Sequence, residues 1–461
     1  MSGSDRSWTI APTLITFGGA LIAALLYFDG DLDAIADRLT TQREPDVATA
    51  AGPTFAAKPV QVADAEPDPD DKPATVIPDR GDRSRVGALE DVCLEGTLTA
   101  CKRWGMDGFY RAISDSKKGK LGRAIRVSWY GDSVIATDAI PSRLRGKLQS
   151  TLGDGGPGFV YLVAPHKFCH HEQVERSQSG WIPYAISTTA IGDKMYGAGG
   201  STAETYGGNA TFKLKTGAAN AELYYLTQPK GGTLAINAGG SEVIKVETAG
   251  DGKAVAYAST KLPPTKKLEF EAKGKVRTFG VALENAAGIV VDNFGIVSVN
   301  VKSFKNHDAA HFTGELAHRK ADLLMIMIGA NEAAWLGPGD RDTKEYASRY
   351  EPVLKMLRKG RPDGSCLVIS PTDQAESKDG RYPSRPVMPV LVEAQRKAAA
   401  AAGCAFFSTY DWMGGKGSAS KWFAKRYVGS DFQHLTTAGA AKMGDALYEA
   451  LMTGFGRYAG P

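Results

Sequence analysis

The stretch AIRVSWYGDSV, Ala124 to Val134, decides how the rest of the chain reads. Ile125, Val127 and Trp129 recur at every second position, which is the period of a buried strand. Gly131 at its end permits a tight backbone turn that a side chain would obstruct. Ser133 then stands at the carboxyl end of that strand, where open α/β sheets place their chemistry. A serine opening a helix also lies in a positive backbone field, which favours a developing alkoxide. Gly131-Asp132-Ser133 is a weak signal alone, so its weight depends on what surrounds it.

Outward from this strand, Leu94 to Ser116 contains a helical stretch with Trp104, Phe109 and Tyr110 available to pack. Downstream, Leu144, Leu148 and Leu152 make an i, i+4 stripe that Gly153 stops. GDGGPGF (153–159) is a loop; without a following lysine its glycines do not read as a phosphate cradle. From about His166 to Val290 the pattern becomes short alternating runs bounded by Gly, Asn or Pro, as in AELYYLTQ and KLEFEAK. That is an all-β, jelly-roll-like pattern, and its position inside the α/β pattern makes it an insertion. Trp181, Tyr224 and Tyr225 are its candidate sugar-stacking residues, with core packing the plainer role for such aromatics. The α/β pattern then resumes with DNFGIVS (292–298), the apolar LLMIMIG (323–329) leading into Ala330-Asn331-Glu332, and strands at 367–370 and 405–407. A helix over about 386–402 separates the last two, and Thr436 or Thr437 can cap a final helix. Strands alternating with helices imply a three-layer α/β/α domain around a parallel sheet.

The amino-terminal part is different in kind. Trp8 to Phe28 carries no charge and has bilayer-spanning length, with Trp8 and Tyr27 at its ends and Arg6 before it. The expectation is an uncleaved transmembrane anchor over 1–28 with the body outside the cytoplasm. A disordered tether rich in Pro, Ala and Asp follows over 29–85. Between Asp29 and Arg80 stand twelve acidic residues against five basic, which leaves a clear positive excess on the rest of a chain whose net charge is +4. A basic body suits a polyanionic glycan as well as it suits plain solubility, and no arginine-aromatic interleaving points to nucleic acid. The organisation expected is therefore an anchor (1–28), a linker (29–85), an α/β domain in two parts (86–165 and 291–461) and a β insertion (166–290).

Five cysteines in an exported chain invite a disulfide reading. Cys93 and Cys101 are close in sequence, Cys366 and Cys404 each open an apolar run, and Cys169 is left over; free thiols stay open for all five. His166, Cys169, His170 and His171 cluster in HKFCHH, but no second ligand group with zinc spacing accompanies them. His307 and His311, four apart, read as one face of a helix. The reading calls for no metal and no cofactor.

Gly131-Asp132-Ser133, Gly295 in NFGIVS, Gly329-Ala330-Asn331 and Asp431-Phe432-Gln433-His434 occur in the order and spacing of the SGNH (GDSL-like) hydrolases, and the chain resembles that family. With its β insertion it looks like the peptidoglycan O-acetylesterases of the superfamily, in which the insertion resembles a carbohydrate-binding module. The chemistry agrees: serine needs a base, His434 is the natural one, and Asp431 can fix its tautomer. The resemblance implies an oxyanion hole made by the Ser133 and Ser298 backbone N–H groups and the Asn331 side-chain amide. Ser298 departs from the family's usual glycine, so the hole depends on its backbone conformation, and Glu332 replaces a frequent Asp. The implied activity is removal of acetyl or another short acyl group from a cell-envelope polysaccharide. Acyl transfer by the same three residues, or glycan binding without turnover, stays open.

Overall fold

The computed structural model describes residues 83–459. The anchor expected over 1–28 lies outside them, and so does the linker expected over 29–85 except for its last residues. Those residues join the fold: the Arg83 guanidinium pairs with Asp107 at 2.5 Å, and Arg85 opens a strand. Among the described residues no helix is long and apolar enough to cross a membrane.

A seven-stranded sheet forms the frame. Its strands are β1 (Arg85–Val86), β2 (Leu89–Glu90), β3 (Ile125–Gly131), β4 (Ile289–Gly295), β5 (Leu323–Met327), β6 (Ser365–Ile369) and β7 (Ala405–Phe407), in the spatial order β1-β2-β7-β6-β5-β3-β4. The five strands from β7 to β4 run parallel, and only the short β1 and β2 run against their neighbours. Alternation explains why the central strands are apolar throughout, since both faces are covered. On β3, Ile125, Val127 and Trp129 enter one core, whereas Tyr130 enters the other. On β5, Leu323 and Met325 face the first and Leu324 and Ile326 the second.

Helices α1 (Asp107–Lys117), α3 (Ala139–Leu152) and α9 (Thr437–Ala459) cover the first face through Phe109, Leu144, Leu148, Leu447 and Leu451. The four-residue α2 (Ser133–Ala136) precedes α3. Helices α4 (Ala309–Arg319), α5 (Asp340–Gly360) and α6 (Met388–Ala401) cover the second through Phe312, Leu354 and Leu391. The short α7 (Thr409–Met413) and α8 (Ser418–Ala424) follow β7. Thr436 Oγ1 accepts the Gly439 N–H at 3.2 Å and caps α9. Before α1 the chain forms a hairpin of Cys93–Thr97 and Ala100–Trp104, so the helix begins later than Leu94. Cys93–Cys101 closes that hairpin, Cys366–Cys404 joins the start of β6 to the residue before β7, and Cys169 is a buried free thiol.

The β insertion is wider at one end and shorter at the other than 166–290. It begins at Gly158–Val160, because that strand already pairs with Lys267–Glu284, and it ends at Glu284, because Ile289–Gly295 belongs to the parallel sheet. Nine antiparallel strands make one hydrogen-bonded network around its own core, which includes Phe212, Leu234 and Phe270. It is not held off on a tether. Phe159, Tyr224 and Phe279 pack into the same core as Phe312 of α4. Beneath them the fully buried Arg319 spans Asp292 of β4 (2.7 Å) and Glu284 of the insertion (2.5 Å), and Arg126 of β3 meets the same Glu284 at 2.7 Å. An isolated buried charge would be costly, but here each carboxylate has more than one donor: Asp292 also accepts from Ser128 Oγ and the Phe159 N–H, both at 2.8 Å.

Candidate active site

The carboxyl ends of the parallel strands carry the site. At the end of β3, a Cβ on Gly131 would come within 2.9 Å of the Met327 carbonyl of β5 and 2.7 Å of the Ile135 side chain, so this turn needs glycine. Asp132 caps α2 by accepting the Val134 N–H at 2.9 Å, and burial pushes its carboxyl up to about 6. Ser133 opens α2 with its Oγ 2.8 Å from His434 Nε2, and His434 Nδ1 lies 2.5 Å from Asp431 Oδ2. The other Asp431 oxygen accepts the N–H groups of Gln433 and His434, each at 3.0 Å, which closes the turn on itself. Burial alone would raise the Asp431 carboxyl, but its bonds to the His434 ring and to these N–H groups outweigh it and hold the group at about 2. The same bond from Asp431 raises the His434 pKa above the ordinary value. An ionised Asp431 assigns the proton to Nδ1, leaving the Nε2 lone pair towards the serine.

The opposite wall is the 295–301 segment. A Cβ on Gly295 would meet the Ala136 backbone nitrogen at 2.6 Å, and the Ile296 N–H donates to the Gly131 carbonyl at 3.0 Å. The chain then turns, with the Val299 N–H on the Ile296 carbonyl at 3.2 Å and Ser298 at φ +64°. That is the left-handed region, which costs a residue with a Cβ about 1–2 kcal/mol. Among the described residues no hydrogen bond takes the Ser298 N–H. Asn331, after β5, donates one amide hydrogen to the Val299 carbonyl at 2.8 Å, which fixes its side chain and leaves the second without a partner among the described residues. Ser187 Oγ donates to the Val297 carbonyl at 2.8 Å, and the Cys169 thiol points at the Gly295 carbonyl at 3.6 Å. The β insertion therefore supports this wall. Glu332 has a task that its sequence position did not suggest: fully buried, it accepts the Val301 N–H at 2.7 Å, and burial pushes it up to about 7.

Ser133, His434 and Asp431 thus converge, and Ser298 and Asn331 meet through the Val299 carbonyl. The aromatics of the insertion do not join them. Tyr224 is wholly buried, its ring edge-on to Phe159 at 5.1 Å and Tyr257 at 5.0 Å, and Tyr225 is 8% exposed, so neither can stack on a sugar. Their strand lies under the insertion's neighbours rather than at its surface, which alternation alone does not reveal. Trp181 is half-buried, its indole nitrogen packed over Gly208 and against the insertion's core. In HKFCHH, His171 is half-buried beside the Pro157 carbonyl at 3.2 Å, and desolvation lowers it to about 4. Among the described residues no group of three His, Cys, Asp or Glu stands where it could hold a metal ion. His307 stacks on Phe312 at 4.0 Å, and His311 meets the Tyr196 carbonyl at 2.7 Å; both serve the seam between α4 and the insertion. Sequence reasoning passed over Asp132 and Phe432, and it noted Glu332 as a substitution without its buried role. Asp132 and Phe432 stood inside quoted motifs, but nothing in residue type marks a carboxyl as buried or a backbone as left-handed.

A parallel α/β sheet with serine, imidazole and carboxylate linked in series at its carboxyl end defines a serine hydrolase. The GDSL-like lipase/acylhydrolase family matches over residues 268–442, a span that holds Ser298, Asn331, Asp431 and His434. A solved structure described as a peptidoglycan O-acetylesterase in action is 25% identical, with 80% of this chain and 99% of that one covered at a TM-score of 0.67. A family two carbohydrate esterase from Clostridium thermocellum, in complex with cellohexaose, is 10% identical over 60% of this chain and 100% of its own, at a TM-score of 0.27. No curated protein sequence matches. The family match over 268–442, the likeness to the peptidoglycan O-acetylesterase structure and the linked serine, imidazole and carboxylate support an SGNH-type serine ester hydrolase.

Proposed function

We propose that the enzyme removes O-acetyl or other short acyl groups from a cell-envelope glycan, with peptidoglycan first among the substrates. Ser133 Oγ attacks the ester carbonyl while His434 Nε2 takes its proton, and Asp431 stabilises the imidazolium. The oxyanion of the tetrahedral intermediate is met by the Ser133 and Ser298 N–H groups and the free Asn331 amide hydrogen. His434 returns the proton to the departing sugar hydroxyl, and water then hydrolyses the acyl-serine with His434 again as base.

The observation that carries this reading is the unbroken series from Ser133 Oγ through His434 to Asp431, at 2.8 and 2.5 Å. The likeness to a peptidoglycan O-acetylesterase over four-fifths of the chain supports the choice of polymer. Two disulfides support an oxidising, extracytoplasmic setting, with the apolar segment of residues 8–28 as the membrane anchor. The test is acetate release by the full chain, in detergent, from O-acetylated peptidoglycan, with de-acetylated sacculi and Ser133→Ala beside it. Serine-dependent release is expected. Turnover of an aryl acetate without release from the polymer would remove peptidoglycan as the substrate, and full activity in Ser133→Ala would remove the mechanism.

A further inference from the structure

The turn that carries Asp431 and His434 is held by rings as well as by its backbone. Phe432, between them, has φ +55°, a conformation in which a bulky residue is a genuine outlier. Its own ring is only 6% exposed, and with Ala375 and Ala419 it forms a small apolar cluster separate from the main cores. Tyr382 stacks on that ring at 4.4 Å with an interplanar angle of 18°, and Phe423 packs on it at 4.6 Å. These two covering rings are themselves 46% and 42% exposed.

They come from separate places in the chain. Tyr382 follows the 378–381 hairpin and Phe423 belongs to α8, and Ser420 Oγ of α8 donates to the Tyr382 carbonyl at 2.5 Å. The buried Asp373 reinforces the pair by accepting from Ser384 Oγ at 2.6 Å and the Ala419 N–H at 2.9 Å. On the backbone the Phe432 N–H donates to the Gly429 carbonyl at 3.0 Å, whereas the contact from the distant Ala375, its N–H on the Phe432 carbonyl, is long at 3.4 Å. A left-handed phenylalanine persists only where its surroundings over-determine it, and here two exposed rings contribute that constraint.

We infer that Tyr382 and Phe423 are positioning residues, which clamp Phe432 and thereby hold the Asp431–His434 turn in register with Ser133. The inference rests on the catalytic reading of those three residues given above. Without the clamp φ of Phe432 relaxes, the Asp431 carboxylate loses the N–H groups of Gln433 and His434, and the imidazole drifts from the serine.

The experiment uses the full chain and an aryl acetate, which needs no glycan contact. The double variant Tyr382→Ala/Phe423→Ala is expected to lose about tenfold or more in kcat with KM within about twofold, since a displacement near 1 Å costs up to about a hundredfold. Its acid limb in the pH–rate profile is expected to move down towards about 6.5, because a loosened Asp431 no longer raises His434. Tyr382→Phe keeps the ring and restores both readouts in the presence of Phe423. Melting curves establish that the variants fold; should the double variant fail to, each single alanine variant is expected to lower kcat about three- to fivefold with the same movement of the limb. Wild-type kcat and acid limb in folded clamp variants would overturn the inference, as would a Tyr382→Phe as impaired as Tyr382→Ala. Ser133→Ala separates the two levels: an inactive Ser133→Ala beside wild-type clamp variants sinks the clamp alone, whereas an active one sinks the catalytic reading and the clamp with it.

Discussion

Ser298 and Phe432 stand on the two loops that flank Ser133, both in left-handed backbone conformations, and they are held by opposite means. Ser298 sits in a web of polar contacts gathered from distant parts of the chain: Asn331 on the Val299 carbonyl, Ser187 on the Val297 carbonyl and Glu332 on the Val301 N–H. Phe432 sits in a ring stack, within a turn whose own Asp431 caps the next N–H groups. On the first loop Ile296 and Val299 are buried while Ser298 itself is exposed, and on the second Phe432 is buried while the Asp431 and His434 side chains are about half exposed, at 52% and 42%. The lesson is that one half of the site is a local motif and the other is an assembly. The turn depends on its own backbone and on the two rings that cover Phe432, whereas the assembled wall depends on the insertion as well as the sheet.

The largest effect lies on the local side. His434→Ala is expected to lower kcat/KM by about 10⁴ or more, because the serine then has no base. In the wild type, kcat/KM is expected to rise with pH through a value above the ordinary histidine pKa of about 6.5, since only the neutral imidazole accepts the proton and Asp431 raises its pKa. An acid limb at or below that value in an aryl acetate assay would show that the Asp431–His434 contact does not operate in solution.

On the assembled side, Asn331→Ala is expected to reduce kcat by about 10²–10³ with little change in KM, the usual result of deleting one oxyanion donor. A loss below tenfold would shift the weight of that wall onto its backbone N–H groups. The smallest effect is expected at Ser298. Ser298→Gly suits φ +64° and should leave kcat within about twofold, the eased strain being offset by a more flexible unfolded chain. Ser298→Val places a β-branched residue in the same conformation, at a cost of about 1–2 kcal/mol in melting experiments and a clear fall in kcat. Equal behaviour of the two variants would mean that the left-handed conformation is not maintained, and would end the comparison with Phe432.

Much of the frame was legible in the residues. The alternation of Ile125, Val127 and Trp129 and the doubly apolar LLMIM could serve only strands covered on both faces, and the structure places them so. The start of the insertion was missed because Gly158–Val160 reads as the end of a glycine loop; only its pairing with Lys267–Glu284 makes it a strand of the insertion. Tyr224 and Tyr225 misled for a related reason. Neighbouring residues on a strand point to opposite faces, so one of an exposed pair should face solvent, but here α4 covers one face and the insertion's core fills the other.

Sequence alone was enough to show which chemistry could be present: a serine after a strand and glycine, an asparagine after the next apolar strand, and an aspartate three residues before a histidine. Those are properties of residue type and spacing. Tertiary structure alone decided how that chemistry is supported: the union of the insertion with the sheet through Arg319, Asp292 and Glu284, the burial of Glu332 beneath the 295–301 segment, and the rings around Phe432. Burial and left-handed backbone are set by what packs from elsewhere in the chain, and such long-range contacts leave no local periodicity to read.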